Sequence, residues 1–295
     1  MSKVEKGKKE DSGLKGKVII ITGASSGIGK AVALTLAKHQ PKLVLFARRE
    51  KKLHQTARSL KKQGVKSLPI VGDIRNPEDR EKLVDLTLKA FGSIDILFNN
   101  AGLGRANLFV EQPESEIDEL IETNFLSLVK LTQKVAQIMK EQQRGHIVNL
   151  STSLVMLPAY PFAVYCATKS AIMTFGDALR QEMKKYGVSV STIYPGPYNT
   201  AFHEVAHCDK NAFTVYDVNK LADKIVKLFL KPKDNLIQPW FFSIYSWLSK
   251  RFNLFKNKVS NEIGDSILKS TKTEEKKLEI QKELTREEKI PAIVQ

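Results

Sequence analysis

Two cysteines, Cys166 and Cys208, are all that 295 residues contain. They show neither ligand spacing nor a disulfide framework, so no metal site and no cross-linked secreted scaffold is expected, and a reducing compartment is. The opening stretch MSKVEKGKKEDSGLKGK lacks a hydrophobic run, which argues against a secretory signal. No apolar stretch reaches the ~20 residues that a bilayer span takes. A cytoplasmic location is expected. There is no recognised nucleic-acid motif and no ordered basic–aromatic stripe, so no nucleic-acid partner is expected either. No internal repeat is evident.

Negative charge is also in short supply. Against 47 lysines and arginines stand 32 acids, a formal net charge of +15. That balance suits anionic partners such as phosphate-bearing cofactors, acidic carrier proteins or anionic lipid; a lysine-rich solvated surface explains it equally well.

What is present is a rhythm. From Lys17, short β-branched runs alternate with amphipathic stretches: KVIIITG, KLVLFA, VKSLPIVGD, IDILFNNAG, HIVNLSTS, VSVSTIYPG and a last run NLIQPW. Between them lie helical patterns, including a long one over 115–142 and another carrying YCATK. Strands alternating with helices predict an α/β fold, a doubly wound parallel sheet with helices on both faces. Residues 1–15 read as a basic flexible tail, 16–240 as the domain, 241–259 as an aromatic amphipathic extension, and 260–295 as a charged tail.

TGASSGIGK follows the first strand and opens the first helix. Gly23 lets the backbone turn. Gly27 and Gly29 let a phosphate and the neighbouring strand approach, and Ser25, Ser26 and Ile28 fill the loop between. The helix N-terminus offers amide donors to a pyrophosphate. The spacing is GxxxGxG rather than GxGxxG, and a glycine cluster alone is also an ordinary strand–helix turn. After the second strand comes Ala47, then Arg48 and Arg49, where an acid would bond a ribose 2′-hydroxyl. A guanidinium there suits a 2′-phosphate, which favours NADP(H) over NAD; two solvated arginines are the plain alternative. Asp73 and Ile74 end the third strand, where an adenine ring could rest. Asn100, Ala101 and Gly102 end the fourth, small enough for the backbone to approach a cofactor. Each could be a simple turn. All of them, with STS and YPGP, fall at the carboxyl ends of strands, where such sheets bind ligands.

Tyr165 and Lys169 stand one helical turn apart. A phenol titrates near ~10, too high for proton exchange at neutral pH. A cation within about 4–6 Å can lower it by roughly 1–3 units, making a usable general acid or base. A neighbouring hydroxyl could hold a carbonyl oxygen as hydride arrives. On its own, the pair could also be surface residues of a core-packed helix.

TGASSGIG, NNAG, Asn124 in the long helix and YCATK after a Ser/Thr-rich strand end resemble, in order and spacing, the short-chain dehydrogenase/reductase family over about residues 17–240. The resemblance implies a single-domain Rossmann-like fold, a nicotinamide cofactor of the NADP(H)-preferring type, and an Asn-Ser-Tyr-Lys site. Tyr165 would be the acid/base and Lys169 would bond the nicotinamide ribose. Asn124 would hold a water in a proton relay. Pro195, Gly196 and Thr200 would lie beside the nicotinamide. The family's serine position, thirteen before the tyrosine, holds Thr152; either Thr152 serves, or a shifted loop presents Ser153. The implied reaction is hydride transfer between NADP(H) and a carbonyl/alcohol pair. A homodimer or homotetramer through 115–141 and 162–186 is expected by analogy. A non-catalytic dinucleotide sensor and an epimerase or dehydratase on the same fold are the alternatives.

Residues 240–256 place Trp240, Ile244, Trp247 and Phe255 on one half of a helical wheel and Ser243, Lys250 and Lys256 on the other. Core or dimer contact, the roof of a hydrophobic substrate pocket, and weak membrane-surface contact all fit. The insert at 201–220 reads as a lid or an ordinary long loop.

Overall fold

Runs such as VIIIT are buried at every position, which only a strand covered on both faces allows. The computed structural model describes residues 13–200, 202, 206, 215–239, 261, 262 and 264–266. Among these, seven strands form one parallel sheet: β1 (Val18–Thr22), β2 (Lys42–Ala47), β3 (Lys66–Val71), β4 (Ile96–Asn99), β5 (Gly145–Leu150), β6 (Val188–Pro195) and β7 (Asn235–Gln238), in the order β3-β2-β1-β4-β5-β6-β7. β4 pairs with β1, Ile20 opposite Leu97, while β2 and β3 lie on the other side of β1. The winding therefore reverses between β1 and β4, and a crevice opens beyond their carboxyl ends.

On one face α1 (Gly27–Thr35), α2 (Glu50–Lys61) and α7 (Val218–Leu230) close a core around Ile19, Ile21, Leu43 and Phe98. On the other, α3 (Pro77–Phe91), α5 (Ser127–Gln142) and α6 (Ala163–Lys184) close a second around Ile20, Val44, Leu97 and Ile147. The alternation along β1 (Ile19 and Ile21 to one core, Val18 and Ile20 to the other) is the period-2 consequence of the strand. Local chemistry sets the helix ends. Asn76 accepts from the Glu78 and Asp79 amides, Pro77 occupies the first turn, and Gly92 closes α3 at φ 76°. α6 lies close on β6 because position 176 is glycine; a Cβ there would stand 2.6 Å from Thr192 Oγ1.

Three features of the fold differ from what the sequence pattern predicts. The long helix expected over 115–142 is α4 (Glu114–Ile121) and α5 joined by one wider π-helical turn, Glu122–Leu126, centred on Asn124. The third, fourth and fifth strands end earlier than expected, at Val71, Asn99 and Leu150, so Asp73, Asn100–Gly102 and Thr152–Ser153 stand in loops past the sheet. Leu14, assigned to the leading tail, is 2% exposed and packs in the first core. Residues 1–12 of that tail, most of the insert (201, 203–205, 207–214), the aromatic segment 240–256 and nearly all of the charged tail lie outside the described residues. Among the described residues no helix is long and apolar enough to cross a membrane, and no cluster of metal-ligating side chains occurs.

Candidate active site

A cleft of about 690 Å³ occupies the crevice. Every residue nominated from the sequence lines it except Gly29 and Asn124, which stand behind its wall. One end is glycine and arginine, the other aromatic.

At the first end, β1 hands over to α1 through Gly23 and Gly27, both at positive φ (70° and 55°), a region that favours glycine. Gly29 serves closeness instead: a Cβ there would lie 2.7 Å from the Gly23 carbonyl oxygen and 2.5 Å from Asn100 Nδ2. Asn100 Nδ2 donates to the Thr22 carbonyl at 2.8 Å, and Thr22 Oγ1 accepts from the Asn100 and Ala101 amides, each at 3.0 Å. Ser26 precedes α1 without capping it through its side chain. That hydroxyl instead meets Arg49, whose guanidinium also donates to Ser25 Oγ at 3.2–3.3 Å. Arg48 points elsewhere, to Asp73 at 3.8 Å. A glycine cradle, helix amides and a guanidinium over two serines are a donor set suited to phosphate oxygens.

Asp73 is held more firmly by Arg75, a residue the motif reading passed over, at 2.6–3.1 Å through Nε and Nη2. Burial alone would raise the Asp73 carboxyl, but the bonds from Arg75 and the charges of Arg75 and Arg48 hold it below its ordinary value. Arg75 also reaches Glu119 at 3.6 Å, and Glu119 takes Arg105 at 2.8 Å, so ion pairs brace this loop against α4.

At the middle of the cleft, Tyr165 and Lys169 project from the first turns of α6, 6% and 4% exposed. Lys169 Nζ sits 6.0 Å from the Tyr165 ring centroid and donates to the Leu150 carbonyl at 3.0 Å. Burial pushes the Lys169 ammonium down to about 8. In its charged form it is a cation beside a phenol, the arrangement that favours a phenolate. Gly102 permits this crowding, since a Cβ there would stand 3.2 Å from Lys169 Nζ and 3.0 Å from Asn124 Oδ1.

The hydroxyls of the Ser-Thr-Ser run divide. Ser151 Oγ donates to the Lys169 carbonyl at 2.9 Å, which ties β5 to α6. Thr152 Oγ1 accepts from the Leu154 amide at 3.3 Å and so keeps its own proton to give. Ser153 opens a short 3₁₀ turn, and all three face the cleft. The Asn124 amide grips Leu103, accepting from its N–H and donating to its carbonyl at 2.9 Å each, and donates to Thr168 Oγ1 at 3.2 Å. Its side chain holds the cleft wall. Asn99 similarly binds Thr132 and Asn149 at the carboxyl end of β4, at 2.8 and 2.9 Å.

The aromatic end was not singled out from the sequence. Phe162 and Phe202 each pack 5.6 Å from the Tyr165 ring, and Leu103, Leu154 and Tyr216 continue the wall. The signal available was Phe162, three residues before Tyr165; Phe202 and Tyr216 come from the last third of the chain, where pattern says little.

A family model described as short chain dehydrogenase matches residues 17–211. An uncharacterised oxidoreductase of Listeria monocytogenes is 39% identical over 194 residues, 65% of this chain and 78% of that protein. A ketoacyl reductase of Nostoc, HetN, is 36% identical over 184 residues, 62% of this chain and 64% of that one. The solved short-chain dehydrogenase of Sphingobium yanoikuyae in complex with NADPH superimposes at a TM-score of 0.73 with 29% identity, over 80% of this chain and 93% of that one. A relative from Burkholderia phymatum solved with NAD aligns at 0.76 with 23% identity, over 81% and 94%, a likeness of fold alone.

Proposed function

Because the chain belongs to the short-chain dehydrogenase family, an oxidoreductase family that uses a nicotinamide cofactor, we propose that it reduces a hydrophobic carbonyl compound with NADPH. The observation that carries the reading is the buried Tyr165–Lys169 pair in the middle of a cleft with a phosphate-binding end and an apolar end. When bound, the dinucleotide supplies hydride to the carbonyl carbon, or takes it in the reverse direction. Tyr165 gives its phenolic proton to the carbonyl oxygen as charge develops there. Lys169 favours the phenolate left behind. Thr152 or Ser153 donates a hydrogen bond to the same oxygen. Asn124 keeps the 103 segment in place. Phe162, Phe202 and Leu154 exclude water around the reacting atoms and suit a lipid-like, steroid-like or 3-oxoacyl substrate.

The preference for NADP(H) rests on Arg49. Its contacts with Ser25 and Ser26 place a guanidinium over the phosphate loop, and no acid occupies the end of β2. Arg48, Gly196 and Thr200 complete the proposed cofactor contacts. Self-association as a homodimer or homotetramer through α5 and α6, in the cytoplasm, belongs to the same proposal.

The test is a panel of ketones, aldehydes and 3-oxoacyl esters with NADPH and with NADH, following absorbance of the reduced nicotinamide. NADPH-driven reduction is expected, and Tyr165→Phe should lower kcat by about 10²–10⁴-fold with NADPH binding retained. Undiminished turnover by that variant sinks the mechanism.

A further inference from the structure

Gly264 and Asp265 lie beyond residues 17–211, where the family model ends, yet they meet Tyr160, two residues before Phe162 of the cleft wall. The Tyr160 phenol donates to the Asp265 carboxylate. Gly264 is buried against the Tyr160 ring, so closely that a Cβ would stand 2.5, 2.6 and 2.7 Å from three ring atoms. Only glycine permits that approach. Two contacts of different kind, one polar and one steric, fix the same side chain.

Tyr160 stands in the loop that joins the two halves of the candidate catalytic group. Thr152 and Ser153 begin that loop; Phe162 ends it, three residues before Tyr165. The Phe162 amide donates to the Ala159 carbonyl at 3.2 Å, closing a tight turn around Tyr160. The Cys166 amide then donates to the Phe162 carbonyl at 2.8 Å, so the turn leads directly into α6. Phe162 is 3% exposed, lines the cleft and packs against the Tyr165 ring. A shift of the Tyr160 ring therefore moves the turn, and the turn carries Phe162, part of the apolar wall. Close-packed groups pass such displacement on rather than absorb it.

We infer that Tyr160, Gly264 and Asp265 form a latch through which the chain beyond the family's shared core fixes the substrate wall and sets which carbonyl compounds fit. All three are positioning residues. With the latch intact, Phe162 keeps one position and the wall discriminates by shape. With it broken, the wall yields, and substrates of different bulk are accepted more evenly. The inference rests on carbonyl reduction as proposed above.

Gly264→Val drives a branched side chain into the ring, and Asp265→Leu removes the phenol's acceptor. Asp265→Asn is the conservative variant, since its amide oxygen still accepts. Across ketones and 3-oxoacyl esters of graded length, both disruptive variants should compress the kcat/KM ratio of best to poorest substrate by roughly tenfold. The change should come mainly through KM, with NADPH affinity unchanged, and Asp265→Asn should keep the wild-type ratio. A ratio unaltered in folded Gly264→Val and Asp265→Leu overturns the inference. Amide hydrogen exchange provides a readout free of turnover: both disruptive variants should speed exchange across 153–162, and unchanged exchange there refutes the latch even in an active enzyme. Wild-type protein that reduces no carbonyl with either cofactor refutes the underlying reductase reading instead, and the selectivity role with it.

Discussion

Replacing Lys169 by methionine separates the cost of a buried cation from its use. Burial lowers the Lys169 ammonium from its usual 10.5 to about 8. Below pH 8 the group is charged in both folded and unfolded chains, and the folded state bears the whole penalty, roughly 3 kcal/mol at 1.36 kcal/mol per unit. Between 8 and 10.5 the unfolded chain binds more protons than the folded one, so wild-type stability rises with pH across that window. Methionine has no such dependence. It also forfeits the bond to the Leu150 carbonyl, 3.0 Å in the wild type, at a cost of about 1–3 kcal/mol that stays constant while the lysine is charged. The quantity to measure is the stability difference between wild type and Lys169→Met, by urea unfolding followed by ellipticity at pH 7 and pH 9.5. It should move by about 2 kcal/mol in favour of wild type on going up in pH. A difference constant to within about 0.5 kcal/mol over that range would refute the reasoning, because it would mean that Lys169 pays no desolvation cost and is not the buried cation invoked beside Tyr165.

Arg49→Ala should raise KM for NADPH by about 10–100-fold, the worth of a charge-assisted bond, and leave KM for NADH nearly unchanged; equal effects on both cofactors would dismiss the 2′-phosphate role. Gly29→Ala presses a methyl onto the Gly23 carbonyl and should cost about 1–3 kcal/mol as well as cofactor affinity, read by melting temperature and NADPH fluorescence titration. His146 is buried neutral, pushed down to about 4 by desolvation, with Nε2 2.7 Å from Ser191 Oγ. Its folded value lies below its usual 6.5, so stability is lost as pH falls from 6.5 towards 4. Wild type should lose about 2 kcal/mol more than His146→Asn between pH 7 and pH 5 in urea unfolding.

The sheet and the cofactor end of the cleft were legible because they are local. β2 coincides with KLVLFA, and TGASSGIG encodes its own turn through Gly23 and Gly27. The exact strand ends were not legible, since Asn100 and Asp73 leave the sheet to meet Thr22 and Arg75, partners 78 and 2 residues away in sequence. The wide turn at Asn124 was invisible for a different reason: one extra residue in a helical turn hardly disturbs a 3.6-residue period. The family resemblance implies that Asn124 holds a water; what the sequence did not announce is that its side-chain amide ties Leu103 to Thr168. The aromatic wall depends on Phe202 and Tyr216, which reach the cleft from a stretch whose pattern carries no period to read. Leu14 looked like tail because its neighbours are lysine and glycine; burial of one side chain leaves no periodic mark.

A single oxygen, that of the Thr22 side chain, receives two amides from the loop after β4 and donates to the Phe98 carbonyl at 3.3 Å. The loop that would grip phosphates and the loop beside the reacting ring are thus riveted at one atom. That part of the cleft works like a fixed gauge: a cofactor is measured against a set span, and whatever flexing the enzyme needs for turnover must be found at the far, aromatic end.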